Sequence, residues 1–360
     1  MNEWISALNP FNSMKILIWR EWLEALAKGE MLAPLSSDTD PTSVCNFKCA
    51  HCNAERYRSN GRFTLSKEQL ISLADLHGAW GIKSTCIAGG GEPTLNNNLD
   101  IFIRKLADNN VQSGIITNGS SMTYDQMEAI TDCSRYAGFS VDTGNADTFI
   151  KIKGIKDKGM FDKVINNLSK LCDMREKKRS KVDIAFKYLV TPLNVNTICE
   201  AARLAKECGV QHFHLRPGCI DNIESEITNH KYNFNEYIRL GKNEILEAHL
   251  LEDDNFKVFA VQHKFGRTWE RKINFNKCRA VSLLPTFGAD GYCHLCFDLR
   301  GKKEFIMCKH EEIIEFWGSE KHREMIDAID PQKCPRCTFG AYNEIIEKVF
   351  IEDCMCRNFP

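Results

Sequence analysis

No continuous apolar run in the 360-residue sequence approaches the roughly 18 residues that a membrane-spanning helix needs; its apolar stretches are short and broken by charges. Residues 1–20 contain no basic segment followed by an apolar core, so nothing there reads as a secretory signal. Charge of one sign is also missing. With 47 Lys and Arg against 48 Asp and Glu, the net charge of -1 gives neither nucleic acid nor an anionic membrane surface an electrostatic reason to bind. Internal repeats and low-complexity tracts are absent, and 43% apolar with 26% charged residues is a globular composition. What the chain has in excess is cysteine, 17 in all. A chain of this length with an ordinary core and no export signal does not need a disulfide framework, so reduced thiols in the cytoplasm, some of them metal ligands, are expected.

The length suits one large domain with an appendage, or two domains. An amphipathic helix is expected over 15–28, where Leu17, Ile18, Trp22, Leu23 and Leu26 recur at helical spacing. Strand-like runs at 36–40, 84–87, 113–117, 138–142, 182–191 and 212–216 then alternate with helical stretches at 67–78, 99–109, 124–133, 161–178 and 196–207. That alternation predicts an α/β fold, a parallel sheet with right-handed crossovers forming a partial (β/α)6 TIM-like barrel, with functional residues at the C-terminal ends of its strands. After Arg216 the rhythm stops, and 219–261 reads as polar and helical. From Cys278 onward the chain is dense in Cys, Gly and Pro, as befits a small α+β region of short strands. The expected organisation is a helical extension over 1–35, the barrel over 36–218, a helical connector over 219–277 and a cysteine-rich domain over 278–360.

Cys45, Cys49 and Cys52 stand at C-x3-C-x2-C spacing in the loop after the first strand. Three thiolates can hold three irons of a [4Fe-4S] cube and leave the fourth iron open to a further ligand. A structural zinc would need a fourth ligand, which His51 beside Cys52 supplies only with strained geometry. After the second strand comes Gly89-Gly90-Gly91-Glu92-Pro93, glycines that let another molecule approach the backbone, followed at once by a carboxylate.

With these two motifs the sequence resembles the radical S-adenosylmethionine (SAM) superfamily. Cys45, Cys49 and Cys52 match its CxxxCxxC motif and Gly90, Gly91 and Glu92 its GGE motif, while Phe139-Ser140-Val141-Asp142 with Ile152-Lys153-Gly154 resembles a further segment common in it. The resemblance covers about 36–218. It implies a [4Fe-4S] cluster whose open iron is chelated by the SAM amino and carboxylate groups, and one-electron cleavage of SAM to methionine and a 5′-deoxyadenosyl radical that abstracts a substrate hydrogen. It further implies that Glu92 holds the methionine amino group, that Gly90 and Gly91 admit it closely, and that Ser140 and Asp142 are candidates for the SAM ribose or carboxylate. His51 stands where the family more often has an aromatic residue, at a backbone position that meets adenine. From strand alternation, Lys187, His212, His214 and Arg216 look into the barrel if Ile184, Phe186, Tyr188, Val190, Phe213 and Leu215 pack on the helices. Of these, Lys187 and Arg216 are the candidate SAM or substrate contacts.

In the C-terminal region Cys278 and Cys296 enclose Gly291 as C-x12-G-x4-C, and Cys334-Pro335-Arg336-Cys337 follows. Four thiolates can close around a second cluster, although a zinc ribbon suits similar spacing. The segment resembles the twitch domain, the shortened SPASM domain holding one auxiliary [4Fe-4S] cluster; where a full SPASM pattern continues with cysteines, this chain has Asn343 and Glu347. Cys293, Cys308, Cys354 and Cys356 keep a further metal site formally open, and Cys293 or Cys308 would suit a hydrogen-atom donor. The resemblance extends to the aminocyclitol (2-deoxy-scyllo-inosamine) dehydrogenase type, which implies oxidation at a sugar-like carbon. Asp298 and Asp290 are then candidate bases, and a flavodoxin- or ferredoxin-type protein the electron donor. Modification of a ribosomal peptide is the rival chemistry; the 44 residues before Cys45 are expected to be too few for a separate leader-recognition domain.

Overall fold

A computed structural model describes residues 12–218, 234–261 and 273–352. All six expected strands form: β1 (Ser36–Thr39), β2 (Ser84–Ile87), β3 (Gln112–Thr117), β4 (Ser134–Ser140), β5 (Asp183–Val190) and β6 (His212–Pro217). The expected helices between them form as well, at Lys67–Trp80, Leu99–Asp108, Tyr124–Cys133, Gly159–Lys178 and Ile198–Glu207. Local chemistry sets their ends. Ser66 and Gln69 form a reciprocal capping box at the first of these helices, and Thr123 and Gln126 form another at the third.

The parallel run does not stop at β6. β7 (Lys257–Ala260) pairs in parallel with β6, so the region expected to be helical over 219–261 contains, among its described residues, the helix Phe234–His249 and then a seventh strand. Four residues give too short an alternation to stand out in a charged segment, yet Val258 and Ala260 carry its core face. The N-terminal helix also differs: a 3-10 turn at Ser13–Ile18 and a helix at Arg20–Ala27 are separated at Trp19, whose φ of -98° and ψ of 53° are not helical and break the run.

Ten strands make one sheet in the order β10-β9-β8-β1-β2-β3-β4-β5-β6-β7. Strands β1 to β7 lie in sequence order and all parallel, the winding of a partial TIM-like barrel. On the other side of β1, β8 (Thr286–Phe287) adds in parallel, and β9 (Tyr292–His294) and β10 (Ile306–Lys309) continue antiparallel. The cysteine-rich region is therefore hydrogen-bonded to the barrel's first strand. On the helix-facing side Ile87, Ile115, Phe139, Ile184, Phe186, Tyr188, Phe213 and Leu215 are fully buried, the apolar face expected for β5 and β6. The opposite, concave face carries Cys86, Tyr136, Ser140, Lys187, His214 and Arg216, and cross-strand register puts Ser140, Lys187 and His214 in one row. Among the described residues no helix is long and apolar enough to cross a membrane.

Candidate active site

The loop that carries Cys45, Cys49 and Cys52 leaves the C-terminal end of β1 and is held from three sides. From the glycine turn, the Gly91 and Glu92 amides donate to the carbonyls of Thr42 (2.9 Å) and Val44 (2.8 Å). A Cβ on Gly91 would lie 2.1 Å from the Val44 carbonyl oxygen, so this glycine is required by the cysteine loop itself. From the end of β3, Asn118 Nδ2 donates to Asn46 Oδ1 (2.9 Å) and Asn46 Nδ2 to Ser120 Oγ (2.7 Å). From the end of the helix Ala146–Lys153, the carbonyls of Lys153 and Ile152 accept from the Lys48 and Ala50 amides, each at 2.9 Å. Phe47 anchors the loop in the core, edge-on to Phe149. None of the three cysteines is in a disulfide, and all are half-buried. Burial pushes the Cys49 thiol up to about 12, against the pull of the Lys153 ammonium, so that metal uptake here must displace a proton.

Glu92 is fully enclosed. Its Oε1 accepts from the Thr94 amide (3.0 Å), Thr94 Oγ1 (2.7 Å) and Thr117 Oγ1 (2.5 Å), whereas Oε2 accepts from the Asn118 amide alone (2.6 Å). Burial raises its carboxyl despite these bonds. Capacity for a cofactor ammonium therefore lies at Oε2. Gly90 has a second reason to be glycine, since a Cβ there would lie 2.3 Å from the Tyr57 ring.

Asp142 sits at φ 66° with its side chain buried, and its carboxylate is engaged inside the protein. It pairs with the Lys153 ammonium, accepts from His51 Nε2 (3.2 Å) and takes the Leu189 amide (2.6 Å). Burial raises its carboxyl, but Lys153 and His51 outweigh that and hold it far below the usual carboxylate range. Lys153 also donates to the Ser140 carbonyl at 2.7 Å. The geometry thus ties Asp142, Lys153 and His51 to the shape of the cysteine loop, not to an open cofactor surface. Ser140 keeps its half-exposed side chain at the end of β4, level with Lys187 of β5. Lys187 is buried against Gly138, and Arg216 is half-exposed at the end of β6, near enough to Tyr136 and Cys86 to influence both.

In the C-terminal region Cys278, Cys296, Cys334 and Cys337 line a single cavity with Asp298, Arg336 and apolar neighbours that include Phe275 and Phe339. Among the described residues no three or more His, Cys, Asp or Glu side chains close on a point the size of one metal ion. Four thiols spread around an apolar cavity fit a cluster, whose cubane core is larger than an ion. Asp298 is committed to this wall. Its carboxylate accepts from Arg336 Nε (2.9 Å), Thr338 Oγ1 (2.9 Å) and the Thr338 amide (2.6 Å), which fastens the Cys334–Cys337 loop to the chain after Cys296. Asp290 occupies the hairpin turn between β8 and β9, where its Oδ1 accepts from His294 Nε2 (3.2 Å) and its amide donates to Tyr57 Oη (3.1 Å). Burial works against it, but the His294 contact leaves the carboxyl below its ordinary value. Cys293 and Cys308 face each other across β9 and β10 inside the core, away from the concave face, and Cys354 and Cys356 lie outside the described residues.

Between the two thiol sites runs a buried polar bridge that the sequence reading missed. Arg300 Nη1 reaches Asp40 Oδ1 (3.3 Å), its Nη2 donates to the Gly89 carbonyl (2.8 Å), and its guanidinium lies 4.2 Å from the Phe297 ring centre. Asp38 points to the same face from β1, and burial pushes its carboxyl up to about 7. The Asp38-Thr39-Asp40 alternation was the available signal for the two acids; Arg300 carried none.

Residues 39–205, just under half of the chain, match the model of the Radical SAM superfamily, so this stretch is similar to a radical SAM domain. A [4Fe-4S] cluster and SAM go with that domain, and the cysteine loop fits them. A probable GTP 3′,8-cyclase of Methanocaldococcus jannaschii is 23% identical over 262 residues, 71% of this chain and 82% of that protein. A probable GTP 3′,8-cyclase of Saccharolobus solfataricus is 27% identical over 179 residues, 48% of this chain, which spans only 54% of its length. Among solved structures, Streptococcus suis SuiB bound to precursor peptide SuiA superposes with a TM-score of 0.66 at 16% identity, over 92% of this chain and 77% of that one. Native anSMEcpe with bound AdoMet and Cp18Cys peptide gives 0.58 at 17%, over 85% and 87%. These likenesses share the fold, a partial TIM-like barrel with a SPASM- or twitch-like C-terminal extension.

Proposed function

We propose that the protein is a radical SAM enzyme that removes a hydrogen atom from a peptide substrate, with the second electron leaving through an auxiliary [4Fe-4S] cluster held by Cys278, Cys296, Cys334 and Cys337. The observation that carries this reading is the single cavity lined by those four thiols; Arg300, shortly after Cys296, bonds Asp40 at the end of β1 and Gly89 of the glycine turn. Both structural neighbours named above were solved with a peptide, which supports a peptide over the sugar-like substrate of the aminocyclitol dehydrogenase type. Bound at these sites, SAM and the clusters supply a 5′-deoxyadenosyl radical and an acceptor for the second electron.

The chain's own residues do the rest. Cys45, Cys49 and Cys52 hold three irons, and Glu92 Oε2 receives the SAM ammonium beside them. Ser140, Lys187 and Arg216 line the concave face where the SAM carboxylate and the substrate lie. Asp290, backed by His294, takes the proton that accompanies the oxidation; Asp298, with both oxygens committed to the Cys334–Cys337 loop, positions that loop. A flavodoxin- or ferredoxin-type protein delivers the electron that starts each turnover.

The test is 5′-deoxyadenosine formation by the reduced, reconstituted protein, with mass spectrometry of short peptides encoded beside its gene after co-expression. Cys45→Ala should form no 5′-deoxyadenosine, whereas Cys334→Ala should form it and leave the peptide unmodified. Equal total loss in both variants would sink the division of roles, and turnover of polyols with every neighbouring peptide untouched would sink the peptide substrate.

A further inference from the structure

Asn343 lies in the short helix Gly340–Ile345 and is fully buried. Two backbone amides, those of Arg279 (2.7 Å) and Ala280 (2.8 Å), converge on one atom of its side-chain amide. Only the carbonyl oxygen can accept both, so the amide orientation is settled by its partners. With Oδ1 pinned there, Nδ2 is turned onto the Cys278 sulfur at 3.7 Å. Four residues on, the same face presents Glu347. Its carboxylate accepts from the Asn276 amide (2.9 Å), Asn276 Nδ2 (3.0 Å) and the Lys277 amide (3.2 Å). Residues 276–280 are thus gripped on both sides of Cys278 by two side chains at the positions where a full SPASM pattern has cysteines.

A hydrogen bond donated to a cluster sulfur stabilises the more negative, reduced state and raises the reduction potential. Buried, oriented and neutral, the Asn343 amide is built to do so without adding charge. We infer that Asn343 is a positioning residue of the auxiliary cluster, setting the potential at which that cluster accepts the substrate's electron through an N–H···S bond to Cys278. This rests on the ligand assignment proposed above.

The test is an EPR-monitored redox titration of the full-length chain carrying Cys45/Cys49/Cys52→Ala, so that only the auxiliary cluster remains, with and without Asn343→Ala and Asn343→Asp. The expected result is a midpoint shifted to more negative potential in both, at the iron content of the parent. An unchanged midpoint in Asn343→Ala, or a shift confined to Asn343→Asp, which would be a charge effect, overturns the inference. If Asn343→Ala takes up no iron, the neutral and still polar Asn343→Ser decides: a midpoint shifted to more negative potential supports the inference, and an unchanged midpoint overturns it. Absence of iron in the parent itself would instead remove the ligand assignment, a separate failure.

Discussion

Lys153 and Asp142 form an ion pair with almost no solvent contact, and taking both charges out of water is expensive unless other groups complete their hydrogen bonds. Here they do: the Leu189 amide and His51 serve the carboxylate, and the Ser140 carbonyl serves the ammonium. Removing one partner leaves the other buried without compensation. Lys153→Met is expected to cost about 3–5 kcal/mol, read by urea denaturation of the iron-free protein, and the double variant Lys153→Met/Asp142→Asn should recover much of it. Equal losses in the single and double variants would show that the ion pair is not what stabilises this corner. Asp142 and Lys153 both stood out in the sequence as parts of one motif, but their pairing did not, because the helix between them decides that they meet.

At the scale of elements, the cysteine loop has almost no regular structure and takes its shape from three neighbours. Two of these contacts are backbone against backbone, at Gly91 and at Gly154, where a Cβ would lie 2.3 Å from the Lys48 carbonyl oxygen and φ is 61°. Neither carbonyl can yield without moving the thiols. Gly91→Ala and Gly154→Ala are each expected to lower bound iron from about eight to about four per chain, losing the cluster of Cys45, Cys49 and Cys52 while the auxiliary one remains. Iron and sulfide analysis after anaerobic reconstitution checks this; iron held at the wild-type level would show that the loop tolerates the displacement. The glycine motif was readable in the sequence as a close approach, but what approaches Gly91 is the protein's own Val44.

The whole molecule is seamed along β1 and β8, and buried histidines stand beside that seam. His77 accepts or donates at Ser37 Oγ (2.8 Å) and packs 4.6 Å from the Phe287 ring, with His310 on Phe287 as well; His322 packs on Trp317. Burial pushes each imidazole down to about 4. The unfolded chain, with imidazoles near their ordinary value of about 6.5, holds more protons between those limits, so stability rises with pH across the window. It should be fully present above about 6.5 and lost as pH falls toward 4. Melting temperatures from pH 4.5 to 7.5 should show this decline, and His77→Gln should flatten it. A wild-type profile without slope would contradict it.

Six parallel strands, the order of their helices, the three-thiol loop and the four C-terminal cysteines could all be read from the sequence, because each is written locally, in alternation, capping residues or fixed spacing. β7 and the split at Trp19 could not, since four residues or one dihedral angle leave no periodic trace. Contacts across the sheet were decided only by the tertiary structure. Arg300 meets Asp40 across 260 residues, and Asn343 meets Cys278 across 65. Burial then decided how each polar group acts: it spends Asp298 and Asp142 on holding loops in place and leaves Glu92 Oε2 with a single hydrogen-bond partner. The sequence determined which chemical groups the protein has, and folding determined which of them remain available, because a buried polar group must be satisfied inside the protein before it can serve anything else.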